Sequence, residues 1–181
     1  MNAKEEVRIS KLLSLVLRHR PETLDLQLDE SGWISCDALL KALAKRGNVV
    51  NFEQLRQLVE NSDKQRFALS ADGKRIRANQ GHSVSVELEL PQESPPDRLY
   101  HGTVERFLES IHKRGLIRGR RHHVHLSQDR STARQVAMRR GSPVILVVLA
   151  KEMAAEGYAF YRSPNGVWLV DEVPPKFLQS S

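Results

Sequence analysis

The residues of this chain able to do chemistry are arginines and histidines in short segments that carry glycine or proline. Arg18-His19 precedes Arg20-Pro21. Arg75 and Arg77 stand two apart, ahead of the polar run Ala78-Asn79-Gln80-Gly81-His82-Ser83. Tyr100-His101-Gly102-Thr103 enters a turn, His122, His123 and His125 precede Ser127, and Arg139-Arg140 precedes Gly141. The usual sets for activating a nucleophile or a water are missing: there is no G-x-S-x-G elbow, no H-E-x-x-H and no phosphate-binding P-loop. Carboxylates are sparse in the second half, which argues against a two-carboxylate hydrolase. The inventory suits the gripping of phosphate, which arginine does through a bidentate fork whose charge is independent of pH.

Charge points the same way. A net charge of +6 and a pI near 9.7 imply a polyanionic partner. Residues 1–90 hold 14 Lys and Arg against 13 Asp and Glu, residues 91–181 hold 14 against 9, so the excess sits in the second half. Lys113–Arg140 contains nine basic residues and one acid, Asp129. With 40% hydrophobic and 28% charged residues the composition is that of a globular protein. No apolar run approaches the ~20 residues of a membrane span, and Met1–Glu6 lacks the apolar stretch of a signal peptide. The lone cysteine, Cys36, excludes an intrachain disulfide and a Cys-rich zinc site. A cytoplasmic protein with no membrane partner is expected.

Each segment also has a plainer reading. Arg18-His19 caps a helix dipole as well as any cations, and Arg139-Arg140 repeats that ambiguity. Arg75 and Arg77 share one strand face and suit a wing touching nucleic-acid backbone. His123 and His125 also share a face, yet no cysteine or carboxylate pattern supplies the other ligands zinc wants, so no metal is expected.

Hydrophobic periodicity gives the elements that position these groups. Ile9, Leu12, Leu13, Val16 and Leu17 form a helical stripe that Pro21 ends. Leu24–Leu28 reads as extended, Glu30–Gly32 as a turn, Asp37 as the N-cap of a helix through Lys45, and Phe52–Glu60 as a third helix. Arg66–Leu69 and Arg75–Arg77 flank the turn Ser70–Gly73 as a hairpin. Three helices and a hairpin are the layout of a winged-helix module. Ser83–Leu90 alternates like a half-buried strand, and Gln92–Asp97, with Pro95-Pro96, reads as a linker. Beyond it come a strand into Gly102, a helix over Glu105–Arg114 closed by Gly115, a strand over His123–Ser127 and a helix over Arg130–Arg140 closed by Gly141. A central strand over Pro143–Ala150 and a hairpin through Pro164-Asn165-Gly166 into Val167–Val170 complete a compact α+β domain.

Taken in order, the segments resemble the RNA 2′-phosphotransferase family, the KptA-type enzymes related to the tRNA 2′-phosphotransferase of tRNA splicing. The matching stretches are SKLLSLVLRHRPE at 10–22, LDESGW at 28–33, RIRANQGHS at 75–83, YHGT at 100–103, HVHLS at 123–127, RRGSPVIL at 139–146 and NGVWLVDEVPP at 165–175. The resemblance implies an α+β chain with a winged-helix RNA-binding lobe over 1–92 and an ADP-ribosyltransferase-like, NAD-binding lobe over 97–181. It carries the family's catalytic Arg-His-Arg-Arg set onto Arg18, His19, Arg77 and Arg139, with Arg140 adjacent to the last. Tyr100, His101, Gly102, Thr103 and Ser127 become candidates for NAD, with the Gly102 backbone bonding the carboxamide, and Arg75 and His82 candidates for RNA phosphate.

The implied reaction explains the inventory. An RNA 2′-phosphate is already a nucleophile towards C1″ of the nicotinamide ribose, and nicotinamide leaves as a neutral molecule, so neither a general base nor a general acid is required. The 2″-hydroxyl of the 2′-phospho-ADP-ribosylated RNA then attacks phosphorus, releasing 2′-OH RNA and ADP-ribose 1″,2″-cyclic phosphate. Charge on the non-bridging oxygens is met by Arg77 and Arg139. His19 is the one member of the set able to move a proton near neutral pH. NAD serves as co-substrate, no metal is needed, and a monomer is expected. Two other readings share these residues: an ADP-ribosyltransferase that stops after the first step, and a winged-helix binder with an inert second lobe.

Overall fold

The computed structural model describes residues 1–180 other than 63, 64, 85, 87 and 89. The fold is α+β, and the chain divides into two compact units, Met1–Glu89 and Leu90–Ser181.

In the first unit, helix α1 (Ala3–Arg18) opens on a capping box, in which the Asn2 side chain accepts from the Glu5 N–H and Glu5 accepts from the Asn2 N–H, both at 3.0 Å. It ends as Pro21 dictates, in a 3₁₀ turn over Pro21–Leu24 that replaces the start of the extended stretch expected at Leu24–Leu28. Strand β1 (Ile34–Ser35), helices α2 (Cys36–Lys45) and α3 (Phe52–Glu60), and strands β2 (Phe67–Leu69) and β3 (Arg75–Ala78) follow. The N-cap of α2 is Ser35, whose hydroxyl accepts from the Ala38 N–H, and not Asp37, which lies inside the first turn. The strands form an antiparallel sheet in the order β1-β3-β2, with Ile34 opposite Ile76. Ile9, Leu13, Val16 and Leu17 of α1 meet Leu39, Leu43, Leu55, Phe67 and Ile76 in one apolar cluster. Ser83, Val84, Val86, Leu88 and Leu90 carry no strand, and Ser85, Glu87 and Glu89 of that expected strand lie outside the described residues.

The second unit contains β4 (Leu99–Val104), a 3₁₀ turn (Glu105–Phe107) running into α4 (Leu108–Arg114), β5 (Leu116–Ile117), β6 (Val124–Leu126), α5 (Arg130–Met138) and β7 (Pro143–Val148). After these come α6 (Ala150–Ala155), β8 (Tyr161–Arg162), β9 (Trp168–Val170), β10 (Glu172–Val173) and β11 (Leu178–Ser180). The strands form antiparallel sheets β4-β7-β11 and β6-β9-β8 and a pair β5-β10. The unbroken apolar run of β7 sits between two neighbours, as a central strand must. Leu99, Leu126, Leu146, Val148, Met153, Phe160 and Trp168 belong to a second apolar cluster. Gln92–Asp97 does not run free as a linker. Gln92 bridges Tyr161, the Glu93 N–H donates to the Phe160 carbonyl at 2.9 Å, and Asp97 pairs with Lys151 at 3.1 Å.

Because each unit has its own apolar cluster, damage to one should stay local. Leu13, with no exposed surface, is expected to cost about 2–5 kcal/mol when truncated in Leu13→Ala. Hydrogen exchange should then show protection lost across Met1–Glu89 while β7 keeps its protection. Equal loss in both units would contradict independent cores.

Candidate active site

In the first unit the end of α1 is tied to the segment that leaves β3. The Ser83 N–H donates to the Arg18 carbonyl at 2.8 Å, and His19 Nδ1 lies 2.9 Å from Ser83 Oγ. Arg18 Nη2 donates to the Arg66 carbonyl at 3.4 Å, the same oxygen that accepts from the Asn79 N–H at 2.9 Å. Arg18 and His19 are therefore fixed beside the residues that follow Arg77, although sixty positions separate them in sequence. The pairing of Ile34 with Ile76 turns Ile76 into the core, so Arg75 and Arg77 stand on the opposite face of β3. His82 is buried, with Nε2 facing Gly32.

In the second unit the candidate residues gather along one edge of β4. Tyr100 exchanges both backbone hydrogen bonds with Ser127, at 2.9 and 2.8 Å. The next position on that edge belongs to Gly102, because N–H and C=O groups alternate sides along a strand. Its partner would be His125, but the His125 carbonyl instead accepts from His101 Nδ1 at 3.1 Å, and the bridge at Tyr100 stays isolated. The ladder thus stops where Gly102 presents its backbone. On its side-chain face Gly102 meets α5 so closely that a Cβ would lie 1.9 Å from the Ala133 carbonyl oxygen. Glycine is required there for packing, whatever binds nearby. Arg130, the first residue of α5, lies 5.4 Å from the Tyr100 ring centre. Thr103, which shares its strand face with His101, is buried.

The electrostatics follow from burial. Donation from Nδ1 leaves His101 Nε2 as an acceptor in the neutral ring. Desolvation holds its pKa below the ordinary 6.5, and the nearby Arg140 charge pushes the same way. Arg121 is lowered by burial and by Arg140 too, and its Nη1 lies 3.3 Å from His125 Nδ1. Both residues of the adjacent pair are exposed; Arg140 brings its charge to bear on His101, and Arg139 is the C-cap of α5. Sequence reasoning missed Arg121, since nothing in its spacing distinguishes it from Arg118 or Arg120. Asp129 is spent as the N-cap of α5. It accepts from the Thr132 N–H at 2.7 Å and from the Ser131 and Thr132 hydroxyls, which lower its pKa. Cys36 is buried, and desolvation raises its thiol pKa, the reverse of an activated nucleophile. The three neighbouring histidines disperse. His123 pairs with Asp171 at 3.8 Å, His125 faces Arg121, and the His122 carbonyl accepts from Arg118. Among the described residues no three His, Cys, Asp or Glu side chains group as a metal site, and no helix is long and apolar enough to cross a membrane.

Comparison with known proteins adds what geometry cannot. Residues 4–172 match the family described as RNA 2′-phosphotransferase, Tpt1 / KptA family. A protein of Flavobacterium johnsoniae is 52% identical over 179 residues, covering 99% of this chain and 98% of its own length. One from Pseudomonas fluorescens is 52% identical over 172 residues, 94% of each chain, and one from Nostoc punctiforme is 48% identical over 179 residues, 99% of each. All three bear the name "Probable RNA 2′-phosphotransferase". The chain belongs to the Tpt1 / KptA family of RNA 2′-phosphotransferases.

The part-buried imidazoles of His101 and His123 make stability depend on pH. Desolvation lowers both His101 and His123 below 6.5. Between the folded-state and unfolded-state values the unfolded chain binds more protons, so stability is complete above the unfolded value and is lost as pH falls below it. The melting temperature is expected to hold above about pH 7 and to drop as the pH is lowered through 6.5. The drop should be shallower in His101→Gln. A melting temperature that rose on acidification would contradict this assignment.

Proposed function

We propose that the protein is an NAD-dependent RNA 2′-phosphotransferase. It transfers an internal RNA 2′-phosphate to NAD and yields 2′-OH RNA, ADP-ribose 1″,2″-cyclic phosphate and nicotinamide. Family membership supports the RNA half of the reading. The observation that carries the NAD half is the interrupted edge of β4, where the ladder ends at Gly102 because His101 takes the His125 carbonyl. An unpaired strand position offers one N–H and one C=O, the complement of a carboxamide. Neutral His101 offers Nε2 to a ribose hydroxyl, Tyr100 and Ser127 belong to the interrupted edge, and Thr103 shares its strand face with His101. These groups fit NAD as a co-substrate, which when bound supplies the electrophilic C1″ and a neutral leaving group.

The first unit supplies Arg18, His19, Arg75 and Arg77, and the second supplies Arg139. The first unit's order of helix, strand, two helices and two strands, with the sheet order β1-β3-β2, supports the winged-helix reading. The small antiparallel sheets of the second unit, joined through Tyr100 and Ser127, support the ADP-ribosyltransferase-like one. In the first step a 2′-phosphate oxygen bonds to C1″ as the bond to nicotinamide breaks, giving 2′-phospho-ADP-ribosylated RNA. Arg18 and His19 orient the phosphate, held there by Arg66 and Ser83. In the second step the 2″-hydroxyl oxygen bonds to phosphorus as the bond to the RNA 2′-oxygen breaks. Arg77 and Arg139 neutralise the oxygens that gain charge, Arg75 adds a further cation, the 2″-hydroxyl gives up its proton, and the departing oxygen takes one up from His19. The cations do the work of a metal, so the enzyme acts without one, as a monomer on phosphorylated RNA such as a tRNA splicing product in the cytoplasm.

Two outcomes test this assignment of roles. Activity should persist in excess chelator, and a requirement for added Mg²⁺ or Zn²⁺ would overturn the metal-free scheme. Arg77→Ala should slow the second step by roughly a hundred- to a thousandfold, about 3–4 kcal/mol, so that the ADP-ribosylated RNA accumulates on gels of labelled substrate. Arg77→Lys should recover part of the rate, since a point charge lacks the fork. Parental turnover in Arg77→Ala would remove Arg77 from the site.

A further inference from the structure

The segment LDESGW at 28–33 has no role in the scheme above, yet its tryptophan touches both cations of β3. β1 begins one residue after Trp33, and its register, with Ile34 opposite Ile76 and Ser35 opposite Arg75, sets Trp33 opposite Arg77 across the strands. The Arg77 guanidinium carbon lies 4.5 Å from the centre of the Trp33 ring, and that of Arg75 lies 5.4 Å from it. The rest of the motif builds the platform. Asp29 Oδ1 accepts from the N–H groups of Ser31 and Trp33 at 3.0 and 2.7 Å, and the Gly32 N–H closes onto the Asp29 carbonyl at 2.9 Å. The Trp33 carbonyl in turn accepts from the Asp29 N–H at 2.9 Å. Asp29 Oδ2 then reaches Arg75 Nη1 at 3.6 Å. One carboxylate thereby closes the loop that holds the ring and steadies the outer of the two arginines.

We infer that Trp33 is a positioning residue for phosphate transfer, its ring face holding the Arg77 guanidinium where the transferred phosphate gains charge. This rests on the function proposed above. An aromatic face is suited to the task because it attracts a cation without neutralising it. It engages the flat π surface of the guanidinium and not the N–H fork that grips phosphate. A carboxylate in the same place would compete with the substrate for that fork. Asp29 is directed instead to Arg75, which leaves the closer cation on the ring to Arg77.

The test compares Trp33→Leu and Trp33→Phe in the full-length protein, each also in an Arg77→Ala background, with labelled 2′-phosphorylated RNA and NAD. Trp33→Leu is expected to lower the rate of cyclic-phosphate release about fivefold, the worth of an exposed cation–π contact. KM for RNA should change less, the ADP-ribosylated RNA should build up, and Trp33→Phe should restore most of the rate. In the Arg77→Ala background Trp33→Leu should cost almost nothing more, since the group it positions is gone. An equal loss in both backgrounds, or Phe no better than Leu, would overturn the inference. Should Trp33→Leu fail to fold, site-specific fluorinated tryptophan at position 33 weakens the ring face while keeping its shape. The rate should then fall stepwise with fluorination, and an unchanged rate would overturn the inference. A parent protein that forms no cyclic phosphate overturns the functional reading and the inference with it. An active parent with no coupling between Trp33 and Arg77 overturns the inference alone.

Discussion

The second unit depends on a helix seated directly on the backbone of a strand. With a Cβ on Gly102 placed 1.9 Å from the Ala133 carbonyl oxygen, α5 cannot approach β4 unless position 102 is glycine. That approach fixes the rest. It buries Ala133 and Ala137, brings Arg130 over Tyr100, sets Asp129 to cap the helix start, and delivers Arg139 and Arg140 at its end. Along the neighbouring edge of the same strand His101 Nδ1 donates to the His125 carbonyl, and the bridge at Tyr100 stays isolated.

The first unit solves a related problem, that of holding arginine side chains in place. Arg18 is held by the Arg66 carbonyl and Arg77 by the Trp33 ring. A neutral carbonyl and an aromatic face each orient a guanidinium without bringing a counter-charge of their own. Both supports are long-range. The Arg18 contact spans 48 positions and the His19–Ser83 contact 64, so the core of α1 and the β1-β3-β2 sheet must form before the cations converge.

Much of this was legible in the sequence, and the misses have physical reasons. The amphipathic stripe of α1, the span of α3 and the central strand β7 could be read because each repeats a pattern over six residues or more. Strands β1, β5 and β10 are two residues long and carry no period. Sequence alone does not separate Ser35 from Asp37 as the α2 cap, because Asp and Ser are equally good N-caps and the choice depends on where β1 ends. α5 stops at Met138 rather than Arg140, since Gly141, with φ 138°, already turns the chain towards β7. Arg77, Arg139 and their roles came from resemblance, and composition alone reached only phosphate binding. The Trp33 platform was invisible because it exists only once β1 pairs with β3. The burial of His82 has no sequence signal, because a histidine after a glycine in a polar run gives no sign of it.

The central claim is that phosphate leaves the RNA on NAD-derived ribose, and the most direct measurement is product identification by mass spectrometry. The wild-type protein would be incubated with NAD and a short RNA bearing one internal 2′-phosphate. The expected products are stoichiometric nicotinamide, RNA with a 2′-hydroxyl at that position, and ADP-ribose 1″,2″-cyclic phosphate. Inorganic phosphate as the product, or RNA that stays ADP-ribosylated at completion, would contradict it.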